Sequence, residues 1–442
     1  MRAFKLSALG AAVIAATAAT AAQASFDQFV DDSTLEIKLR NAYFDNDYKI
    51  NGMGAKEDWH EWAQGIEANY TSGYAFGMFG FDASLYGALK LDSSNQAQGT
   101  NGEGDQLLRV GDSGDAKSFS KMGQAYLKAK FGDEDLNIHA KAGYMKHDTV
   151  LLATSSSRLL PSSYKGYAFD ANVYGVNLYG AWANKISYRT SQDYEDFENG
   201  SGDKIDNLYS VGAAYEIGNL YLNGEYGEGK DYMKLGYLNA GYTFELSEGM
   251  SLLIDGQYYK AKENGKLWDG ANYIDSFADD AKLVNLNTAL TIDYLTLSLS
   301  YTTVDADNGN NAGGFQYWMA ANDYGGGNFW TSRQISDFYW DGETTWQMGA
   351  QYDFTGFDMP GFYTGVTFTR GTLGNTEAAK LGFDKETELD VEVGYAFQQE
   401  SLKGLSIKVQ NGYHKSYIYD ASGNDERTNN LRVYVDYTLS VF

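Results

Sequence analysis

From Ser33 onward the chain runs in stretches of about ten residues in which apolar and polar side chains alternate. In the first, Leu35, Ile37, Leu39 and Tyr43 share one parity, and Glu36, Lys38 and Arg40 the other. Further on, Phe81, Ala83, Leu85, Leu89 and Leu91 oppose Asp82, Ser84, Tyr86 and Lys90. Leu136, Ile138, Ala140 and Ala142 oppose Asn137, His139 and Lys141. A period of two marks a strand with one apolar face. About eighteen such segments occur, parted by breaks rich in Gly, Asn, Asp and Ser. Short breaks lie near 72–78, 132–135, 174–176, 217–219, 245–249, 294–295, 355–361 and 399–404. Those between them are long, near 45–57, 93–120, 148–166, 190–206, 262–280, 305–342, 371–385 and 417–428, with 227–231 the short exception. This rhythm predicts an all-β fold. The form expected is a transmembrane antiparallel β-barrel of about 18 strands, with short periplasmic turns and long extracellular loops. No linker or shift of composition divides 25–442, so one domain is expected.

Mean hydropathy is only −0.44, the value of an ordinary soluble protein. In a barrel it is the average of a lipid-facing and a water-facing wall. A secreted β-sandwich or β-helix would share the alternation. The barrel is favoured because apolar faces end in aromatics at a nearly fixed segment length. Tyr43, Tyr70, Tyr144, Tyr188 and Tyr437 are expected in the two interfacial girdles. The 442 residues include two prolines, Pro161 and Pro360. Proline cannot donate a ladder hydrogen bond, so its scarcity fits a chain made mostly of paired strands.

Residues 1–24 carry Arg2 and Lys5, an apolar stretch from Leu6 to Ala22, and Ala22-Gln23-Ala24. They read as a signal peptide for export. The formal charge of −25 becomes −27 from Ser25 on, with 59 acidic and 32 basic residues left. So acidic a chain repels phosphate backbones, and no nucleic-acid partner is expected. Aromatics at 15% argue against disorder. The chain has no cysteine, which excludes disulfides and thiolate metal sites. The last segment alternates from Leu431 to Val441 and ends in Phe442, a C-terminal strand suited to the barrel-assembly machinery. The expected surroundings are the lipid and lipopolysaccharide of a Gram-negative outer membrane.

Arg158, Leu159, Leu160, Pro161, Tyr164 and Gly166 form a stretch that resembles the R-L-L-P-x-x-Y-x-G segment of the OprD family of outer-membrane porins. Phe29 to Leu35 resembles the opening of that family's first strand, and Ser72-Gly73-Tyr74 with Phe76 to Asp82 its first periplasmic turn and third strand. Met359-Pro360-Gly361-Phe362 is similar to its late turn. The first and last of these three look most like its chitoporin branch. The resemblance implies an 18-stranded monomeric pore whose third long loop, 148–166, folds inward. Ser155, Ser156, Ser157, Arg158 and Tyr164 would then line or brace the constriction, or Arg158 would anchor the loop to the wall.

Polar parity gives the remaining lumen candidates. Lys38, Arg40, Lys128, Lys130, His139, Lys141, Lys185, Arg189, Lys408 and Arg432 are basic, and Lys408, Arg432, Lys38 and Arg40 fall on strands that become neighbours on closure. Glu61, Glu67, Asp82, Glu225, Asp255, Asp293, Asp353, Asp390 and Glu392 are acidic, mostly on the opposite arc. Facing walls of opposite charge would orient dipolar solutes across a narrow pore; alternatively the charges pair with one another and keep the pore wet. Thr367 stands where carboxylate-handling members of the family would favour a basic residue. Trp268, Trp318, Trp330 and Trp340 lie in long loops, and Tyr86, Tyr126, Tyr221 and Tyr259 on lumen parity. Such rings stack on sugars or anchor loops by packing.

The four histidines, His60, His139, His147 and His414, have no metal-ligand spacing, and no cofactor or catalytic motif is present. The acidic run Asp193, Glu195, Asp196, Glu198, Asp203 and Asp206 is a solvated surface or a divalent-cation site. The expected function is passive, selective diffusion of small hydrophilic solutes, with chitooligosaccharides first and small carboxylates or amino acids second. A barrel enzyme or an adhesin is the expectation of another class.

Overall fold

Alternation at period two yields the strands it predicts, each paired antiparallel with its chain neighbours. The structure is a computed structural model. It describes residues 28–50, 58–94, 106–268, 277–309, 311–323, 325–326, 329–374, 384–416 and 425–442. The expected signal segment 1–24 lies outside them. The barrel strands are β1 (Thr34–Ile50), β2 (Trp59–Thr71), β3 (Phe79–Ser93), β4 (Phe119–Gly132), β5 (Leu136–Met145) and β6 (Ser163–Val173). They continue as β7 (Val176–Ser187), β8 (Leu208–Ile217), β9 (Leu220–Gly229), β10 (Met233–Ser247), β11 (Met250–Glu263) and β12 (Asp280–Ile292). The last six are β13 (Leu295–Asp305), β14 (Glu343–Asp353), β15 (Phe362–Leu373), β16 (Lys385–Ala396), β17 (Leu405–Ser416) and β18 (Glu426–Ser440). Leu39 of β1 faces Ile66 of β2 on one side and Tyr437 of β18 on the other, so the sheet closes on itself. The seam continues where Leu35 N–H donates to the Phe442 carbonyl at 3.1 Å. Closure removes the free edge, which lipid could not hydrogen-bond.

The wall inverts the burial of a soluble protein. On β12, Leu286 is 51% exposed, whereas Asn285 and Asn287 beside it are 0% and 3%. Leu85, Leu127, Leu238 and Met348 also point outward. Such a band is favourable only against hydrocarbon. Both prolines sit outside strands: Pro161 in a long loop and Pro360 in the short β14–β15 turn. Asp353 caps the 3₁₀ turn Phe354–Phe357 there, accepting the Thr355 N–H at 2.8 Å. Asp353, a lumen candidate by parity, is exposed at the short-turn rim.

Two apolar clusters fill parts of the interior. One joins β6–β13 residues such as Ala183, Leu235 and Tyr259 to loop residues Leu151, Leu152, Phe197 and Phe315. The other joins Ala42, Phe44, Tyr86 and Tyr434 to Leu107, Leu108, Leu159 and Leu160. Tyr188 lies beyond the end of β7 and packs on the first cluster, so it belongs to no girdle.

Candidate functional site

The long loop after β5 spans 146–162, a little earlier than 148–166, because Ser163 to Gly166 already belong to β6. Its two leucine pairs fix its path. Leu151 and Leu152 sit in one apolar cluster, Leu159 and Leu160 in the other. The chain between them must cross the lumen, and that bar contains Ser155, Ser156, Ser157 and Arg158. Its far end is tied to the wall by Arg40, whose Nη1 donates to the Arg158 carbonyl at 2.8 Å and the Ser156 carbonyl at 3.3 Å. The same guanidinium grips Asp436 at 2.7 and 3.1 Å. Tyr434 Oη–H adds a bond to the Ser157 carbonyl at 3.1 Å. Arg40, not Arg158, is thus the wall anchor.

The near end is held by a carboxylate. Glu225 on β9 accepts the N–H groups of Val150 at 2.7 Å and Leu151 at 3.1 Å. The device recurs. Glu61 on β2 accepts Leu107 N–H at 2.8 Å and Leu108 N–H at 3.2 Å, holding the loop after β3. Glu388 on β16 accepts Ile335 N–H at 2.8 Å and Ser336 N–H at 2.9 Å, holding the loop after β13. Adjacent amides in a water-poor niche need acceptors, and one carboxyl group can serve two. Asp255 accepts the Trp330 Nε1–H at 2.7 Å. Glu61, Glu225 and Asp255, expected among the acidic lumen charges, therefore act as loop clamps.

The loop after β13 is the second bar. Arg432 Nη2 donates to the Gln334 carbonyl at 2.7 Å, and Gln334 Nε2 to the Asn430 carbonyl at 2.6 Å. A cavity of about 560 Å³ lies between the two bars and the wall. Arg40, Lys408, Arg432 and Tyr434 line it, with Asp390 and Glu392 from β16, Ser156 and Ser157 from the first bar, and Arg333 and Gln334 from the second. Thr296, Ser298 and Thr367 complete a polar lining. Basic and acidic residues are thus neighbours on β16–β18, not opposite arcs: Lys408 Nζ is 3.8 Å from Glu392. Lys38 opens on the adjoining cavity with Glu67 and Lys146 and is 3.1 Å from Glu36.

Arginines converge here. The guanidiniums of Arg158 and Arg432 lie 5.5 and 5.0 Å from the Phe44 ring centre, within cation–π range. Arg189 Nη1 is 3.4 Å from Ser155 Oγ. Burial, reinforced by the charges of Arg432 and Arg189, pushes the Arg158 guanidinium down from its ordinary value. An anion arriving between these groups relieves that repulsion.

Other candidates lie elsewhere. Lys128 is 2.7 Å from Asp82, with both buried, and Tyr126 Oη–H donates to Asp82 at 2.6 Å. Lys128 and Lys130 lie over the Tyr74 ring, and Lys141 over Tyr126, near the short-turn mouth. Lys185 leaves the lumen. A register shift at Lys165/Gly166 inserts an extra residue in β7, so that Ile186 turns inward and Lys185 outward, where it pairs with Asp196 at 3.0 Å. Asp196 also pairs with Lys204 at 3.2 Å, so the acidic loop has internal partners. Among the described residues no three His, Cys, Asp or Glu side chains could hold a metal together. Trp340 is buried, and Trp268 and Trp318 pack against the first cluster; Trp330 is 39% exposed.

Sequence reasoning passed over Arg333, Gln334, Lys146 and Glu388. The legible signal was the apolar doublet: Leu107-Leu108, Leu151-Leu152 and Leu159-Leu160 each mark loop chain that packs inside the barrel.

Tyr164 latches the two bars. Its hydroxyl oxygen lies 2.8 Å from both the Ala153 carbonyl oxygen and Asp323 Oδ1. The backbones approach so closely that a Cβ on Gly325 would lie 1.7 Å from the Ala153 oxygen. Burial raises the Asp323 carboxyl to about 7, against hydrogen bonds from Gly325 N–H and Tyr164 that lower it. The folded latch thus holds its proton more tightly than released loops do. It is firmest below ~4 and weakens as pH rises toward neutrality. Closing events in single-channel records should be more frequent at about pH 8 than about pH 5. Asp323→Asn should flatten that dependence, and an unchanged pH profile in the variant rejects the latch.

Comparison with known proteins follows the same lines. The family described as outer membrane porin, OprD family, matches residues 27–441. Porin D of Pseudomonas aeruginosa is 27% identical with both chains covered in full. The chitoporin of Escherichia coli is 26% identical over 78% of this chain and 75% of its own. Among solved structures, OccAB1 of Acinetobacter baumannii superposes with a TM-score of 0.79 at 21% identity, covering 94% of this chain and 98% of the other. OpdK of Pseudomonas aeruginosa, solved with vanillate, gives 0.75 at 24% identity, covering 93% and 100%. At those identities the solved structures speak for the fold.

Proposed function

This chain belongs to the OprD family of outer-membrane porins, and from that premise we propose that it admits small carboxylates and amino acids through the arginine-lined gap between its two bars. Porin family and barrel favour a channel over an enzyme, and passage of small solutes is its role. The observation that carries the solute class is the convergence of Arg40, Lys408 and Arg432 beside Asp390 and Glu392 in one confined space, with Arg158 behind it sharing the Phe44 ring with Arg432. A carboxylate meets guanidiniums there while an ammonium meets carboxylates, which suits a zwitterion.

The order of the two solute expectations is thereby exchanged. A sugar slide needs a run of open aromatic faces, and three of the four loop tryptophans are engaged in packing. Trp330 supports the sugar reading, with its indole N–H held by Asp255 and its ring part-exposed.

Swelling of liposomes carrying the protein tests the choice. Isotonic glutamate or arginine should enter fast, and a chitooligosaccharide slowly. Arg432→Gln should slow glutamate roughly tenfold if one charge-assisted contact is lost. Faster entry of the oligosaccharide, with glutamate excluded, overturns the reading.

A further inference from the structure

Four lysines share the lipid-facing side of β10, β11 and β12 near the long-loop rim. Lys234, Lys260, Lys262 and Lys282 have the parity of Leu238, Tyr258 and Leu286, opposite to the inward, buried Met233, Leu235, Tyr259 and Leu283. Register sets like against like twice: Lys234 faces Lys262, and Lys260 faces Lys282. Directly opposed like charges destabilise a strand pair. Such crowding is unexpected in a chain with 59 acidic and 34 basic residues. Lys260 pairs with Asp280 at 3.0 Å and Lys282 with Asp305 at 3.5 Å. Among the described residues Lys234 and Lys262 form no ion pair. Glu228, across from Lys234, accepts the hydroxyls of Tyr209 and Tyr226 and the Asn264 side-chain amide.

Height places these ammoniums at the membrane boundary. Lys260 lies ten residues along β11 from Met250 at the short-turn rim. At ~3.3 Å per residue and ~40° of tilt this is ~25 Å, the height of the apolar band. Beneath the lysines the outer wall is hollowed by a groove of about 530 Å³. Leu238, Tyr258 and Leu286 line it, and Gly224, Ala240 and Gly256 leave it room.

We propose that this arc binds a phosphorylated glycolipid of the outer leaflet, with a phosphate among the lysines and an acyl chain in the groove. A phosphate monoester carries close to two negative charges at neutral pH, matching Lys234 and Lys262; Lys262 stands across from Asp280, but Lys260 makes the close contact to that carboxylate. Lysine meets phosphate as a point charge. A lipid anion supplies headgroup and chain together, whereas a free phosphate leaves the groove unfilled. The site is on the outer wall and is independent of the pore and its solute.

Native mass spectrometry of the purified full chain tests it. The probes are bisphosphorylated lipid A, the same lipid with its phosphates removed, and inorganic phosphate. Wild-type protein should retain the phosphorylated lipid, with occupancy at least about tenfold lower for the dephosphorylated one. Lys234→Gln/Lys262→Gln should lose a similar factor while single-channel conductance stays unchanged, which also reports a folded barrel. Equal retention of the dephosphorylated lipid by wild type overturns the proposal without any variant. So does undiminished retention by the double variant, or displacement of the lipid by equimolar inorganic phosphate.

Discussion

Arg40→Ala should roughly double the single-channel conductance and make the open current noisy, because it frees the far end of the first bar. One guanidinium joins three partners: the Asp436 carboxylate and the carbonyls of Ser156 and Arg158. Hydrogen bonds from a charged donor contribute ~1.5–3 kcal/mol each where water is scarce, and less in a wet lumen. With Arg40 gone, the Tyr434 bond to the Ser157 carbonyl and the packing of Leu159 and Leu160 remain. The barrel keeps its ladders, so strand content should not change. Arg40→Lys separates tether from charge. An ammonium keeps the positive charge but lacks the planar fork that reaches carboxylate and carbonyls together. The lysine variant should therefore conduct like the alanine variant. If it conducts like wild type while alanine does not, charge matters and the tether does not.

Glu388→Ala should have the second large effect, on the bar after β13. The two amides that Glu388 receives, Ile335 and Ser336, belong to the segment that places Arg333 and Gln334 in the gap. Removing the acceptor leaves both N–H groups to find water, and the segment no longer keeps its fixed place in the constriction. Whole-barrel thermal stability should fall by less than ~1 kcal/mol, since the freed amides rehydrate. Conductance should rise, and discrimination among solutes should weaken. Glu388→Gln keeps one carbonyl oxygen and should lie between. Unaltered conductance and selectivity in the alanine variant would remove the clamp from the account.

These two effects also show where reading by parity succeeded and where it stopped. Strand number, closure and the inward set on β1, β17 and β18 followed from alternation, because in lipid the side-chain period is enforced on every strand. Arg40, Lys408 and Arg432 were legible for that reason and do line one cavity. Parity carries no information about partners. It could not say that Glu225 and Glu388 are occupied by loop amides, or that Arg40 holds a loop. It also fails after a bulge, where one added residue exchanges the faces. Lys185 was lost that way. The loops follow no period, so their paths depend on apolar doublets and on long-range contacts such as Tyr164 with Asp323.

Current-block titration on the wild-type channel tests the central claim most directly. Glutamate and chitohexaose are added in turn to the same bilayer containing one open pore. The account predicts transient block by glutamate, weakened about tenfold in Arg432→Gln, and little block by the sugar. Block by chitohexaose with none by glutamate, unaffected by Arg432→Gln, would contradict it.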